Sequence, residues 1–326
     1  MTKKGRILSG MRPSGKLHIG HYVGVLSNWA KLQDEYECFY MVADLHALTS
    51  EYANTGELQE NIYHMVVDWL ACGLSPEKSV LFCQSKVRQH SELHLFLSMI
   101  TPLGWLTRCA TYKEQLKEVK DRDLHTYGFL GYPVLQAADI LLYKADTVPV
   151  GEDQLPHLEL SREIARRFNN FYGKIFPEPQ AILSNSPRVP GIDGRKMSKS
   201  YNNAIFLSDS PEEIEKKVSA MFTDPLKIRK DDKGHPDGCI VFAFHQIYSE
   251  NFMDIQKKCI EGKIGCVEDK KELSKKIIRA LEPIRETRNK FLKDKNLIKE
   301  ILAEGQRKAE KVAEETMKQV RKAVNV

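Results

Sequence analysis

The sequence predicts an α/β protein, a doubly wound parallel sheet followed by an all-helical region. Three observations predict it. Short β-prone apolar runs alternate with longer helix-periodic segments through about residue 170. After Tyr201 the alternation gives way to charged, helix-periodic sequence. A chain of 326 residues with 42% hydrophobic content can also bury a large core. Strands that alternate with helices pair in parallel, and such sheets bind ligands beyond the carboxyl ends of their strands.

Arg6–Ser9 (RILS) reads as the first strand and His21–Leu32 as a helix, with apolar residues three to four apart. Cys38–Val42 (CFYMV) is a second strand; the helix over Leu58–Cys72 would end at Gly73. Ser79–Cys83 is a third strand, followed by helical patterns at Glu92–Ile100 and Val134–Lys144. Thr147–Val150 (TVPV) is strand-like and precedes a helix running through Arg167. From Pro211 onward, as in PEEIEKKVSAMF, the pattern is helical, and Leu297–Val326 carries many i,i+4 charge pairs. The polar Ser200–Ala204 segment sets the boundary between an α/β region, 1–204, and a helical region, 205–326. The last helix is a candidate to pack back on the first region.

A net charge of +5 suits a nucleic-acid partner and equally suits solvated surface lysines. Seven cysteines, an odd number in a chain this long, argue against a secreted disulfide framework and for reduced thiols in the cytoplasm. No run approaches the roughly 20 apolar residues of a membrane span, and MTKKGRILSG lacks the apolar stretch of a signal peptide.

The stretch LSGMRPSGKLHIGHY, Leu8–Tyr22, follows a strand and opens a helix, where free N–H groups favour anions. Gly10, Gly15 and Lys16 fit a P-loop only in part, because Leu17 stands where that motif needs Ser or Thr. His18 and His21, three apart on a first turn, can donate to one phosphate chain, and Gly20 leaves room for a flat base. Surface histidines at a helix start are the alternative reading. Far away, DGRKMSKSYNN places Lys196 and Lys199 around a serine in a segment that reads as a loop.

HIGH at residues 18–21 between a strand and a helix, and KMSKS at 196–200 ahead of a helical region, resemble the paired signatures of class I aminoacyl-tRNA synthetases. GYPVLQAADILLYKADTVPVGEDQLPHLELSREIARRFN, ADLHALT (Ala43–Thr49) and MFTDP (Met221–Pro225) resemble the bacterial tryptophanyl-tRNA synthetases, over essentially the whole chain. The resemblance implies a Rossmann-like catalytic region, ATP with Mg²⁺, L-tryptophan and tRNA(Trp) as partners, an anticodon-reading helical region and a homodimer. It also implies roles for particular residues. Asp139 would accept the indole N–H, and Tyr132 and Gln154 would hold the ammonium or carboxylate. Leu8, Gly10, His46, Val148 and Val150 would line the indole pocket, and Gln136 stands where many members have Met. Gly151, Glu152 and Asp153 would hold the ribose, and the Val189 backbone would read the adenine. Arg12, Pro13 and Ser14 would cover the phosphates together with His18, Gly20, His21, Lys196, Met197, Ser198, Lys199 and Ser200, with Lys113 near the pyrophosphate.

Asp139 lies in an apolar run, where a carboxylate is costly to bury without a donor; an Asp at an exposed helix edge is the bland alternative. Cys239, Cys259 and Cys266 match three of the four cysteines with which some bacterial members bind a 4Fe–4S cluster, and Asp269 stands in the fourth place. Three thiolates and a carboxylate can hold such a cluster, although four thiolates are usual; a trio of buried thiols is the other reading. Cys38, Cys72, Cys83 and Cys109 read as ordinary small core residues. The rivals are a tyrosyl-tRNA synthetase, whose pocket would need polar groups for a phenol, and a non-catalytic tRNA-binding paralogue, which would not need both lysines and both histidines.

Overall fold

The computed structural model of the chain describes residues 3–118, 123–183 and 189–326. Strand β1 (Arg6–Met11) leads through Leu17 and His18 into the single turn α1 (Ile19–His21), a π turn over Tyr22–Leu26 and α2 (Ser27–Glu35). The helix expected from His21 therefore begins earlier and is wound wide in its middle. Strand β2 (Glu37–Val42) is followed by α3 (Asp44–Glu51) and α4 (Leu58–Ala71), and Gly73 at φ +99° closes the latter as expected. Strand β3 (Ser79–Cys83) feeds α5 (Gln89–Ile100), α6 (Leu103–Thr107), α7 (Ala110–Glu118), α8 (Tyr127–Leu130) and α9 (Tyr132–Leu142). Strand β4 (Thr147–Val150), α10 (Leu155–Tyr172) and β5 (Gln180–Leu183) complete the α/β part. The fifth strand is absent from the sequence reading: it is four residues long, exposed at both ends and only half-buried between, and preceded by two prolines.

The sheet is parallel, in the order β3-β2-β1-β4-β5, so the order reverses at β1, between β2 and β4. Ligands of such sheets bind at that reversal, beyond the carboxyl ends. Here Met11, Val42 and Val150 end their strands on the same side.

Five more helices follow: α11 (Pro211–Ser219), α12 (Ile240–Tyr248), α13 (Phe252–Ile260), α14 (Cys266–Phe291) and α15 (Lys295–Val324). At the start of α11, Ser210 accepts from the Glu213 N–H while the Glu213 carboxylate accepts from the Ser210 N–H, with Pro211 in the first turn. Helix α15 runs along β3 so closely that the backbone of Gly305 lies against the Leu81 carbonyl, where any side chain would collide. It covers what would otherwise be an open sheet edge. One apolar cluster joins Leu17, Ile19, Trp29 and Trp69 to Ile205, Leu207, Ile277 and Ile284; the other joins Leu8, Phe39 and α9 to Ala309, Met317 and Val320. Both clusters thus mix residues from the two sides of Ala204. Among the described residues no helix is long and apolar enough to cross a membrane.

Candidate functional site

A cavity of about 400 Å³ opens beyond the carboxyl ends of β1 and β4, at the reversal of strand order. All nine residues expected around tryptophan line it: Leu8, Gly10, His46, Tyr132, Gln136, Asp139, Val148, Val150 and Gln154. They come from two strand ends, from α3, from α9 and from the turn before α10. Met41, Ala43 and Ile140 add apolar wall. Arg12, His21 and Gly151, expected on the nucleotide, line the same space.

Asp139 is 2% exposed and fully partnered. Its Oδ1 accepts from His90 Nδ1 at 2.6 Å and from Gln84 Nε2 at 2.8 Å; its Oδ2 accepts from His46 Nε2 at 2.8 Å. Burial alone would raise the carboxyl pKa, but the hydrogen bonds from His46 and His90 outweigh it and hold it at about 2. The Tyr143 hydroxyl then faces Nε2 of His90 at 2.8 Å, and the Gln84 carbonyl accepts from the His46 N–H at 3.3 Å. This differs from the sequence expectation, in which the carboxylate relied on its ligand for a donor. At the opposite wall Tyr132 Oη and Gln154 Oε1 flank the two nitrogens of His157, at 2.8 and 3.1 Å.

The outer end is built differently. The His18 N–H donates to Nδ1 of His21 at 3.2 Å, and the two rings lie 3.7 Å apart. That bond leaves His21 Nε2 as the protonated donor. Nδ1 of His18 is buried and meets no hydrogen-bond partner among the described residues. Burial pushes His18 down to about 4 and His21 down to about 3, the latter also by the neighbouring His18. Both rings are neutral at pH 7. Charge at this end therefore comes from Arg12 and the lysines.

An adjoining groove of about 670 Å³ is lined by Arg12, Pro13, Ser14, Ser198 and Lys199. Gly15, at φ +123°, brings the 12–15 turn so close to Lys199 that an added Cβ would lie 2.5 Å from Nζ. Met197 is buried beside Gly20 and the His18 ring. The loop owes its shape to Asn203, 1% exposed, which accepts from the Ser198 N–H and donates to Asp193 and to the Lys196 carbonyl. Neither Lys196 nor Lys199 forms an ion pair among the described residues. Ser200 is in the same turn, with its side chain outside the described residues.

Other expected residues lie outside the linings of the two cavities: Lys113 is exposed on α7, Glu152 and Asp153 are exposed in the turn between Gly151 and α10, and the Val189 side chain is buried in the core, which does not bear on its backbone. Among the described residues no group of three or more His, Cys, Asp and Glu is arranged to hold a metal ion. Cys259 Sγ packs against Gly234, and Asp269 is 8% exposed and 3.0 Å from His245 Nε2. Burial and the neighbouring Asp269 and cysteines push the Cys259 and Cys266 thiols up. Cys239, Cys259, Cys266 and Asp269 therefore lie near one another, with the carboxylate facing an imidazole and three thiols present of the four usual for a 4Fe–4S cluster. Cys38, Cys72 and Cys83 are buried as expected, but Cys109 is half-exposed. Burial pushes its thiol up; hydrogen bonds from His157 and from the backbone at Tyr112 and Thr111 more than offset this and bring it to about 7.

Gln84, His90, Tyr143, His157 and Asn203 were missed. Gln84 follows the carboxyl end of β3, the position where such sheets place ligand-facing groups, and that was the available signal. Nothing in the sequence marks the remaining four, which act through contacts between distant elements.

Residues 1–282 match the family of class I tRNA synthetases for tryptophan and tyrosine. A tryptophan–tRNA ligase of Thermotoga maritima is 53% identical over 98% of this chain and 99% of its own length. One of Aquifex aeolicus is 49% identical over 98% of this chain and all of its own. A crystal structure of the Campylobacter jejuni tryptophanyl-tRNA synthetase, complexed with ADP and tryptophan, superposes with a TM-score of 0.89 at 34% identity, covering 98% of this chain and all of that one. With its signatures gathered around one cleft and its relatives matched end to end, this chain belongs to the tryptophanyl-tRNA synthetases of class I.

Proposed function

We propose that this chain activates L-tryptophan with ATP and transfers the product to tRNA(Trp). The observation that carries the reading is one cleft with two chemistries: an apolar slot closed by the Asp139 carboxylate, opening onto His21, Arg12 and the Lys199 turn. The indole lies in the slot with its N–H toward Asp139. The tryptophan carboxylate, already ionised because its pKa is about 3.5, attacks the α-phosphorus of ATP without a general base. A bond forms between that oxygen and phosphorus, the bond to the bridging oxygen breaks, and pyrophosphate leaves with the electron pair. His18 and His21 position the phosphates as hydrogen-bonding groups, and Lys196 and Lys199 neutralise them. Arg12, Pro13, Ser14, Gly20, Met197, Ser198 and Ser200 frame them, Gly151, Glu152 and Asp153 hold the ribose, and the Val189 backbone meets the adenine. Lys113 would have to approach from α7 to reach the pyrophosphate. Magnesium would enter with the nucleotide as part of the substrate and would help to neutralise its phosphates.

In the second step a hydroxyl of the terminal ribose of tRNA attacks the tryptophanyl carbonyl and AMP leaves. The helical region, 205–326, reads the anticodon, and two copies of the chain form the working dimer. The three cysteines carry no step. Pyrophosphate exchange tests the reading. Exchange should depend on tryptophan, with tyrosine at least about 100-fold poorer. Equal exchange with both, or none with either, overturns it.

A further inference from the structure

An indole N–H that points to Asp139 needs a free acceptor there, and the carboxylate has none to spare. A carboxylate offers about four acceptor sites, two on each oxygen. On Oδ1 these face His90 Nδ1 at 2.6 Å and Gln84 Nε2 at 2.8 Å. On Oδ2 they face His46 Nε2 at 2.8 Å and Gln84 Nε2 at 2.9 Å. The Gln84 amide is fixed in this sense from its other end, where Oε1 accepts from the His46 backbone N–H at 3.3 Å. For an indole N–H to reach this anion, one of the three donors has to leave.

Only one can leave without stranding a group in the core. Gln84 and His90 are both 0% exposed, and neither lines the cavity. His90 is held at both nitrogens, by Asp139 and by the Tyr143 hydroxyl at 2.8 Å, so turning it would leave buried groups unpaired. His46 differs. Its ring lines the cavity, its side chain is 12% exposed, and among the described residues the bond to Asp139 is the only hydrogen bond the ring makes.

We propose that His46 is a specificity-determining residue: its Nε2–H holds, on Oδ2 of Asp139, the site that the indole N–H takes, and tryptophan enters by replacing one N–H with the other. This rests on the activation reading above. The replacement conserves the number of hydrogen bonds on a buried anion, so the empty slot never presents an open acceptor in an apolar wall. It also bears on the choice of substrate. A site with an open acceptor rejects an analogue that lacks the donor, because the acceptor is left unpaired. Here such an analogue leaves His46 in place and Asp139 satisfied. His46 therefore softens the penalty.

The probe is 3-(3-benzothienyl)-L-alanine, a ring of nearly the same shape with sulfur in place of the indole N–H. The readout is the ratio of kcat/KM for pyrophosphate exchange with tryptophan to that with the sulfur analogue. His46→Leu keeps the wall apolar and removes the stand-in donor. The ratio should then rise about 10- to 100-fold over wild type, the scale of one hydrogen bond to a charged group. A ratio unchanged or lower in the folded variant overturns the proposal, since a residue that only supports the wall shifts both substrates alike. Wild-type protein decides it without any variant. In proton spectra the hydrogen-bonded Nε2–H of His46 should move when tryptophan is added and stay when the sulfur analogue is added. A proton unmoved by tryptophan, or moved equally by both, overturns the proposal. The activation reading fails separately, through wild-type protein that shows no tryptophan-dependent exchange.

Discussion

The two ends of the cleft have opposite hydrogen-bond economies. At the inner end Asp139 is met by His46, His90 and Gln84 before any ligand arrives, and a further partner, Tyr143, stands behind His90. At the outer end, among the described residues, His18 Nδ1 is buried without a hydrogen-bond partner and Lys196 and Lys199 carry their charges without an ion pair. A preformed network can fix where one rigid ring system goes. Groups left waiting can respond to charge that grows during a reaction, which is where binding energy accelerates chemistry. The difference predicts that changes at the inner end act on stability and substrate choice, and that changes at the outer end act on rate.

The largest effect should come from the inner end. Asp139→Ala strands three donors in the core and should cost about 3–5 kcal/mol of folding stability, the scale of breaking a buried charged network. Urea unfolding measures it. A loss below about 1 kcal/mol, within the range of a surface change, would mean that His46, His90 and Gln84 find other partners, and the contrast would collapse.

Next come the lysines. Lys196→Ala and Lys199→Ala should each lower kcat for exchange by about 10²–10³, or roughly 3–4 kcal/mol of barrier. Tryptophan affinity and the urea midpoint should stay at wild-type values, since both side chains are exposed and neither forms an ion pair among the described residues. A Lys199 variant that unfolds early but exchanges normally would reverse the assignment of the two ends.

How much of this was legible in the sequence follows the same division. Residues expected to meet a ligand at strand ends or signature turns were readable, and Leu8, Gly10, His46, Asp139, Val148 and Val150 do gather in one cavity. Four of the five strands were readable from their apolar runs; β5 was not, since its exposed and half-buried residues carry no such signal. The supporting residues were not readable either. His90 reaches Asp139 from α5 and meets the Tyr143 hydroxyl behind it, and Asn203 braces the lysine loop by closing on Asp193 across ten residues. Such pairings exist only once the chain has folded. Cys109 shows the same limit from the other side: its half-exposed thiol beside His157 looks, in sequence, like any small core residue.

A smaller effect should separate backbone from charge at the outer end. Gly15 sits at φ +123° against Lys199. Gly15→Ala should cost about 1–3 kcal/mol as backbone strain and push the ammonium away from its turn. Exchange should slow while tryptophan affinity holds. Unchanged exchange would mean that the lysine reaches its working position by another path.

The smallest effect is a pH dependence whose sign is fixed by the histidines. Their folded pKa values, about 4 for His18 and about 3 for His21, lie below the ordinary value of 6.5. The unfolded chain therefore binds protons first as the pH falls. Stability from these rings is complete above pH 6.5 and is lost progressively toward the folded values. Between pH 7 and 5 the loss should be about 1 kcal/mol per ring, allowing for solvent at the cleft. Phosphates in the cleft favour the charged rings and raise both pKa values, so a non-hydrolysable ATP analogue should flatten the slope. Part of the depression at His21 comes from His18, so His18→Asn alone should shed more than half of the pH-dependent loss. Urea midpoints at pH 7 and 5, with and without the analogue, measure all of this. A slope that survives His18→Asn/His21→Asn unchanged would place the proton uptake elsewhere and leave the two ends of the cleft alike in their response to acid.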